Sequence, residues 1–259
     1  MARKGDGTDD VILDDGTFTV PASWTYHIDY QNAIGQTTGD GQPCTVGVGT
    51  AGSNERFGFS WDHDTAAFRG AWFQRDSGGS YTSARYTTVM AVDTWHRITG
   101  RYDGTDLEAF YQGLEEATTT TSAHAAGTGG KVCMLAGQEG SSAFDDGRIA
   151  RVALWDVALT DGEILSLGSG LVSPSEVRNA NLVRYYELYG TASPEVDWSG
   201  NGGVATVTGA TQADHSPAQP PFADFDWQGA FTVAAVGGAN PKGPLGHPLY
   251  GALAGPVAA

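Results

Sequence analysis

The segment Trp95 to Gly113 constrains this chain more than any other. Large apolar residues alternate with polar ones on both sides of an Asp103-Gly104 turn: Trp95, Ile98 and Tyr102 before it, Leu107, Ala109 and Tyr111 after it. A period of two is the signature of half-buried strands, and Asp-Gly suits a tight hairpin because glycine reaches positive φ without steric cost. The stretch Phe144 to Trp155 repeats the device, with Asp146-Gly147 leading into Ile149, Val152, Leu154 and Trp155. Thr160 and Glu163 then stand in capping-box spacing before Ile164, Leu165 and Leu167, which predicts a short helix over 160–167. Turn dipeptides recur along the rest of the chain, as in an all-β sandwich.

The order of these pieces resembles a known family. "WHRITGRYDGTDLEAFYQG", then "KVCMLAGQ", then "FDDGRIARVALWDVALTDGEI" is similar to the laminin-G-like, pentraxin-like branch of the concanavalin A-like jelly rolls. The resemblance implies a two-sheet antiparallel β-sandwich with one short helix, spanning about residues 11–210. The stretch "SPSEVRNANLVRYYELYGTASPEVDWSG" further resembles laminin-G-like proteins encoded in phages and prophages. Fold does not fix function here, since the superfamily hosts lectins, adhesion modules and glycosidases.

Within 11–30 the pattern gives two strands, with Trp24, Tyr26, Ile28 and Tyr30 on one face. Strands are also expected at 45–48, 55–62, 66–76, 81–90, 94–101, 182–188 and 203–208, with a loop over 122–130. Residues 1–10 read as a flexible or docked arm and 11–214 as the sandwich. Residues 215–259 change character: they hold seven of the chain's eleven prolines and little charge. Such a segment cannot build its own core. Its spaced anchors Phe222, Phe225, Trp227, Phe231, Leu245, Leu249, Tyr250 and Leu253 suit an extended arm docked on a partner or neighbouring subunit.

Thirty acids against fourteen bases give a net charge of −16, which opposes binding to nucleic acid or to an anionic membrane surface. No stretch approaches the roughly 20 apolar residues of a membrane span. The first ten residues lack the apolar core of a secretory signal, so synthesis in a cytoplasm is expected. The two cysteines, Cys44 and Cys133, fall on separate strands and are expected as buried thiols, with a bridge left open.

Catalytic chemistry is poorly supplied. Asp106 and Glu108 stand at i, i+2 but on a hairpin edge, and Glu115 and Glu116 are adjacent in an expected turn, so neither pair reads as a glycosidase dyad. No histidine stands in a nucleophile elbow. The family resemblance brings calcium into view, and the oxygen-bearing candidates are Asp62, Asp64, Gln138, Glu139, Asp145 and Asp146. After Gln138 and Glu139 the chain departs from the pentraxin ligand loop, with Gly140, Ser141 and Ser142 where an acid would follow. Trp61, Trp72 and Trp24 could stack on sugars, although each also fits the core alternation. The expectation is a non-enzymatic phage virion protein (head decoration, fibre or tail-associated), with no required cofactor and the arm holding it to capsid or tail proteins and homo-oligomer neighbours. The alternative is a lectin-like module for host-surface glycans, with a glycoside hydrolase as the remote third.

Overall fold

The computed structural model describes residues 2–32, 41–47, 56–64, 67–76, 79–121, 127–137, 143–189 and 193–214, without the side chains of 62–64, 67 and 68. Among them run β1 (Ala2–Lys4), β2 (Val11–Asp14), β3 (Phe18–Val20), β4 (Trp24–Gln31), β5 (Cys44–Gly47), β6 (Arg56–Asp64), β7 (Ala67–Arg75) and β8 (Tyr81–Arg85). They continue with β9 (Trp95–Tyr102), β10 (Asp106–Tyr111), β11 (Leu114–Thr120), β12 (Gly127–Met134) and β13 (Arg148–Trp155). Then come α1 (Asp161–Gly168), β14 (Leu182–Glu187), β15 (Glu195–Val196), β16 (Val204–Thr208) and β17 (Thr211–Ala213). One sheet has the order β11-β10-β9-β4-β13-β1-β17, with β14 also on β13; the other runs β15-β16-β2-β12-β5-β6-β7-β8, with β3 also on β12. All pairings are antiparallel, and the two sheets face each other as a jelly-roll sandwich.

The core lies between them. Trp24, Tyr26, Ile28 and Tyr30 point inward from β4 to meet Phe57, Phe59, Trp61 and Trp72 of the other sheet, with Trp24 stacked on Phe57 at 4.2 Å. The other face of β4 is buried as well, because a second cluster built on Phe110, Trp155, Leu159, Ile164 and Leu167 lays α1 across that sheet. Thr160 caps α1: its side chain accepts from Glu163 N, while the Glu163 carboxylate accepts from Thr160 N at 2.8 Å.

Several expected boundaries move. Residues 11–31 make three strands, residues 127–130 belong to β12, and the strand beginning at Tyr81 ends at Arg85. Ala2–Lys4 pair with both β13 and β17. Glu115 and Glu116 lie in β11, since the tight turn falls on Gln112 (φ 50°) and Gly113 (φ 86°) just before it. Cys44 faces the core and Cys133 the opposite side of its sheet, one residue out of phase across the β5–β12 pairing; both are buried thiols and neither is in a disulfide.

Candidate functional site

Tyr30, the last core-facing residue of β4 before the strand ends, organises one corner of the sandwich. Its hydroxyl donates to Asp145 Oδ1 at 2.8 Å and accepts from the Trp61 indole N–H at 2.9 Å. Gly147 is required beneath it, because an added Cβ would stand 2.1 Å from the Tyr30 oxygen. The expected reason for that glycine, a positive-φ turn, does not apply; close approach does. Backbone bonds sew four segments together there: Trp61 N to Gly41 O (2.9 Å), Gln42 N to Ala143 O (3.0 Å), Leu135 N to Pro43 O (2.8 Å) and Asp145 N to Leu135 O (2.9 Å). Leu135 and Ala143 hold left-handed φ values of 63° and 52°. Non-glycine residues pay about 1 kcal/mol for that geometry, so the surrounding structure must impose it.

Among the described residues, several polar atoms of this corner are buried without a hydrogen-bond partner. Gln42 is 8% exposed, and its Oε1 is buried with no hydrogen-bond partner. Asp146 Oδ1 is likewise buried and unpartnered. Asn32 is fully buried with neither amide atom bonded, and the β4–β13 register of Gln31 with Arg148 places it level with Gly147. Burial pushes the Asp146 carboxyl above the ordinary carboxylate range, with Lys4 pulling the other way. Burial, with the Asp145 charge second, pushes the Tyr30 hydroxyl well up.

Of the residues singled out from sequence, the structure brings Asp145 and Asp146 to this corner. Asp62 and Asp64 occupy the end of β6, paired with Arg69 and Ala67 of β7, and their side chains lie outside the described set. Gln138, Glu139 and the arm anchors from Phe222 to Leu253 also lie outside it. The tryptophans are a correction: Trp61 is 3% exposed and Trp72 is 0% exposed, with the Trp72 indole N–H donating to Tyr86 Oη at 2.7 Å. Alternation into the core leaves neither ring face for a sugar, and Trp24 is buried in the same way. Asp106 accepts from Thr120 Oγ1 at 2.7 Å, and Glu108 receives both Arg101 Nε and Nη2 at 2.5 and 2.9 Å. Glu116 accepts from the backbone of Thr87 and Thr88 (3.1 and 3.0 Å).

Sequence reasoning missed Asn32 and Gln42, which lie at a strand end and before a proline and carry no periodic signal. It also missed the N-terminal loop, where Asp6, Asp9 and Asp10 bring carboxylate oxygens within 4.8 Å of one another. That loop closes on itself, Asp10 Oδ2 accepting from Asp6 N (2.7 Å) and Asp6 Oδ1 from Thr8 N (2.8 Å). Burial first, then Asp6 and Asp9, raise the Asp10 carboxyl against the opposing backbone bond.

A laminin G family model, described as concanavalin A-like lectin/glucanases superfamily, matches residues 5–165, more than half of the chain. The chain belongs to the concanavalin A-like lectin/glucanase superfamily. Two solved members share its fold at low identity. A native heptameric SAP-like pentraxin from Limulus polyphemus is 14% identical with a TM-score of 0.55, over 80% of this chain and 95% of the pentraxin. A putative carbohydrate binding protein from Bacteroides ovatus is 16% identical with a TM-score of 0.56, over 83% of this chain and 61% of that protein. No curated protein matches the sequence. Within this superfamily the described part of the chain is a laminin-G-like jelly roll, with the α1 helix laid on one sheet.

Proposed function

We propose that this superfamily member is a non-enzymatic glycan-binding module whose ligand end is the corner of residues 41–43, 135–137 and 143–147. One observation carries the reading: among the described residues Gln42 Oε1 and Asp146 Oδ1 are buried without partners, and buried polar groups are otherwise nearly always hydrogen-bonded. The Bacteroides ovatus neighbour, named as a putative carbohydrate binding protein, supports the ligand class. Calcium fits the donor set, because hard cations take six to eight oxygens and the corner offers amide and carboxylate oxygens without competing nitrogen or sulfur ligands. Asp145, Asp146, Gln42 and Asn32 would hold it, with Asp62, Asp64, Gln138 and Glu139 as further candidates. Bound calcium supplies positive charge for sugar hydroxyls. The protein's own part is to position the oxygens: Tyr30 fixes Asp145, Trp61 fixes Tyr30, and Gly147 admits the ring. The engagement of Glu108 by Arg101 supports a non-enzymatic role.

The test is a calcium titration followed by unfolding, since an ion bound only by the folded state adds about 2.7 kcal/mol at a hundred times its Kd. A rise in melting temperature, reversed by EDTA, together with EDTA-sensitive binding on a glycan array, is expected. No thermal shift at millimolar calcium removes the ion, and an empty array removes the glycan.

The composition of residues 215–259 favours a second reading of where the module works. Seven prolines and spaced aromatic anchors suit a segment held along capsid or tail proteins of a phage virion, with the sandwich displayed outward. Several symmetric copies would multiply weak glycan contacts by avidity. Truncation after Asp214 should leave a folded sandwich that no longer enters particles; normal incorporation would defeat this placement.

A further inference from the structure

The geometry points to a second, calcium-independent sugar site at the opposite end of the sandwich, where Trp198 offers its indole face to the C–H face of a neutral pyranose. The inference rests on the reading of the chain as glycan-binding. Trp198 is 57% exposed, whereas Trp24, Trp61, Trp72 and Trp155 are buried. An indole offers a broad apolar face with a polar N–H edge, and the loop beneath Trp198 is held in place by hydrogen bonds to β14.

That loop hangs on Asp197, itself buried. Asp197 Oδ1 accepts from Tyr185 N and Ser199 N, both at 2.9 Å, and Oδ2 from Ser199 Oγ (2.8 Å) and Gly203 N (3.3 Å). Asn201 Nδ2 donates to Leu182 O at 2.8 Å, and Trp198 N donates to Tyr185 O at 2.7 Å. Three of these bonds reach β14, two at Tyr185 and one at Leu182. Leu182 pairs with Trp155, at the far end of β13 from the Arg148–Gln31 pair beside the first corner. The two ends are therefore separated by the length of β13.

The surroundings select the ligand. Val196, two residues before Trp198, pairs with Val204, and both are exposed. Three apolar side chains match one sugar ring, while a protein interface of ordinary size needs about 800 Å² from each partner. β15 is only two residues long, too short an edge to recruit a strand. Polar groups ring the patch: the exposed Asn201, the Thr206 hydroxyl donating to Asp15, and the exposed Thr208. The neighbouring acids Asp15 and Asp197, in a chain of net charge −16, disfavour an anionic sugar.

The experiment compares the full chain with Trp198→Ala and Trp198→Phe on immobilised neutral glucan, galactan and mannan oligosaccharides, with and without EDTA. Expected is an EDTA-resistant component that Trp198→Ala weakens about tenfold or more and Trp198→Phe retains, with unchanged thermal unfolding. EDTA-resistant binding that survives Trp198→Ala overturns the inference and leaves the glycan reading standing. So does wild-type binding that vanishes entirely in EDTA. A wild-type chain that binds nothing in any buffer overturns both.

Discussion

The two ends of the sandwich each use a buried aspartate, and they use it in opposite ways. At the Trp198 end, Asp197 collects four hydrogen bonds and the tight backbone falls on Gly200 and Gly202, at φ 85° and 74°. At the Tyr30 end, Asp145 accepts from the Tyr30 hydroxyl and its N–H donates to Leu135 O. Neighbouring Gln42, Asn32 and Asp146 keep unsatisfied atoms, and the left-handed positions fall on Leu135 and Ala143. Complete satisfaction on glycine turns makes a rigid pedestal. Incomplete satisfaction on strained backbone makes a place where another group supplies the missing bonds.

The comparison breaks most visibly at Asp197. Asp197→Ala would strand three backbone N–H groups, those of Tyr185, Ser199 and Gly203, and remove a negative charge 3.7 Å from the buried Arg184 guanidinium. Losing one member of a buried charged network costs about 3–5 kcal/mol. Urea unfolding should report that loss; a change below about 1 kcal/mol would mean the loop stands without its aspartate and is no pedestal.

Sequence carried the frame well and the two ends badly, for a physical reason. Alternation along β4, β9, β10 and β13 is local, and so is the Thr160–Glu163 cap; both could be read directly. The second face of β4 could not be read. Thr25, His27, Asp29 and Gln31 look solvent-facing by period, yet all are buried under chain from far along the sequence, as where Thr25 Oγ1 donates to Val157 O at 3.0 Å. Trp198 carried the converse signal. It stands at the head of the turn-forming run Ser199-Gly200-Asn201-Gly202, which marks an aromatic at a turn outside the core. Asn32 and Gln42 gave no signal, because what distinguishes them is the absence of a partner in three dimensions.

Asp29 sharpens the comparison as a third buried carboxylate, this time paired by charge. Burial pushes its carboxyl up, but His27 at 3.3 Å, Arg151 at 3.0 Å and the Arg97 charge overcome it and hold the group at about 2. A carboxylate held below its ordinary 3.8 contributes stability above that value and loses it as pH falls through about 2. Asp29→Asn should therefore cost about 2 kcal/mol at neutral pH, and the gap to wild type should close between about pH 4 and pH 2. Asp14 runs the other way. Burial outweighs its 2.7 Å pair with Arg184 and raises its carboxyl, so that group's contribution declines as pH rises through its folded pKa. A pH-independent gap for Asp29→Asn would show that its ion pairs contribute nothing.

The smallest effect in the ion-free protein should come from the unsatisfied end. Burial raises the Asp146 carboxyl, so the folded state carries a cost wherever that group is ionised. Asp146→Asn removes the charge while keeping the shape, and stability without calcium should shift by less than about 1 kcal/mol, toward greater stability. With calcium the sign reverses, because the substitution takes away an anionic oxygen and with it much of the ion-induced stabilisation. Melting curves of wild type and Asp146→Asn, in EDTA and in calcium, separate the two ends. A large loss in EDTA would make Asp146 a pedestal like Asp197, and equal calcium shifts in both proteins would move the ion away from this corner.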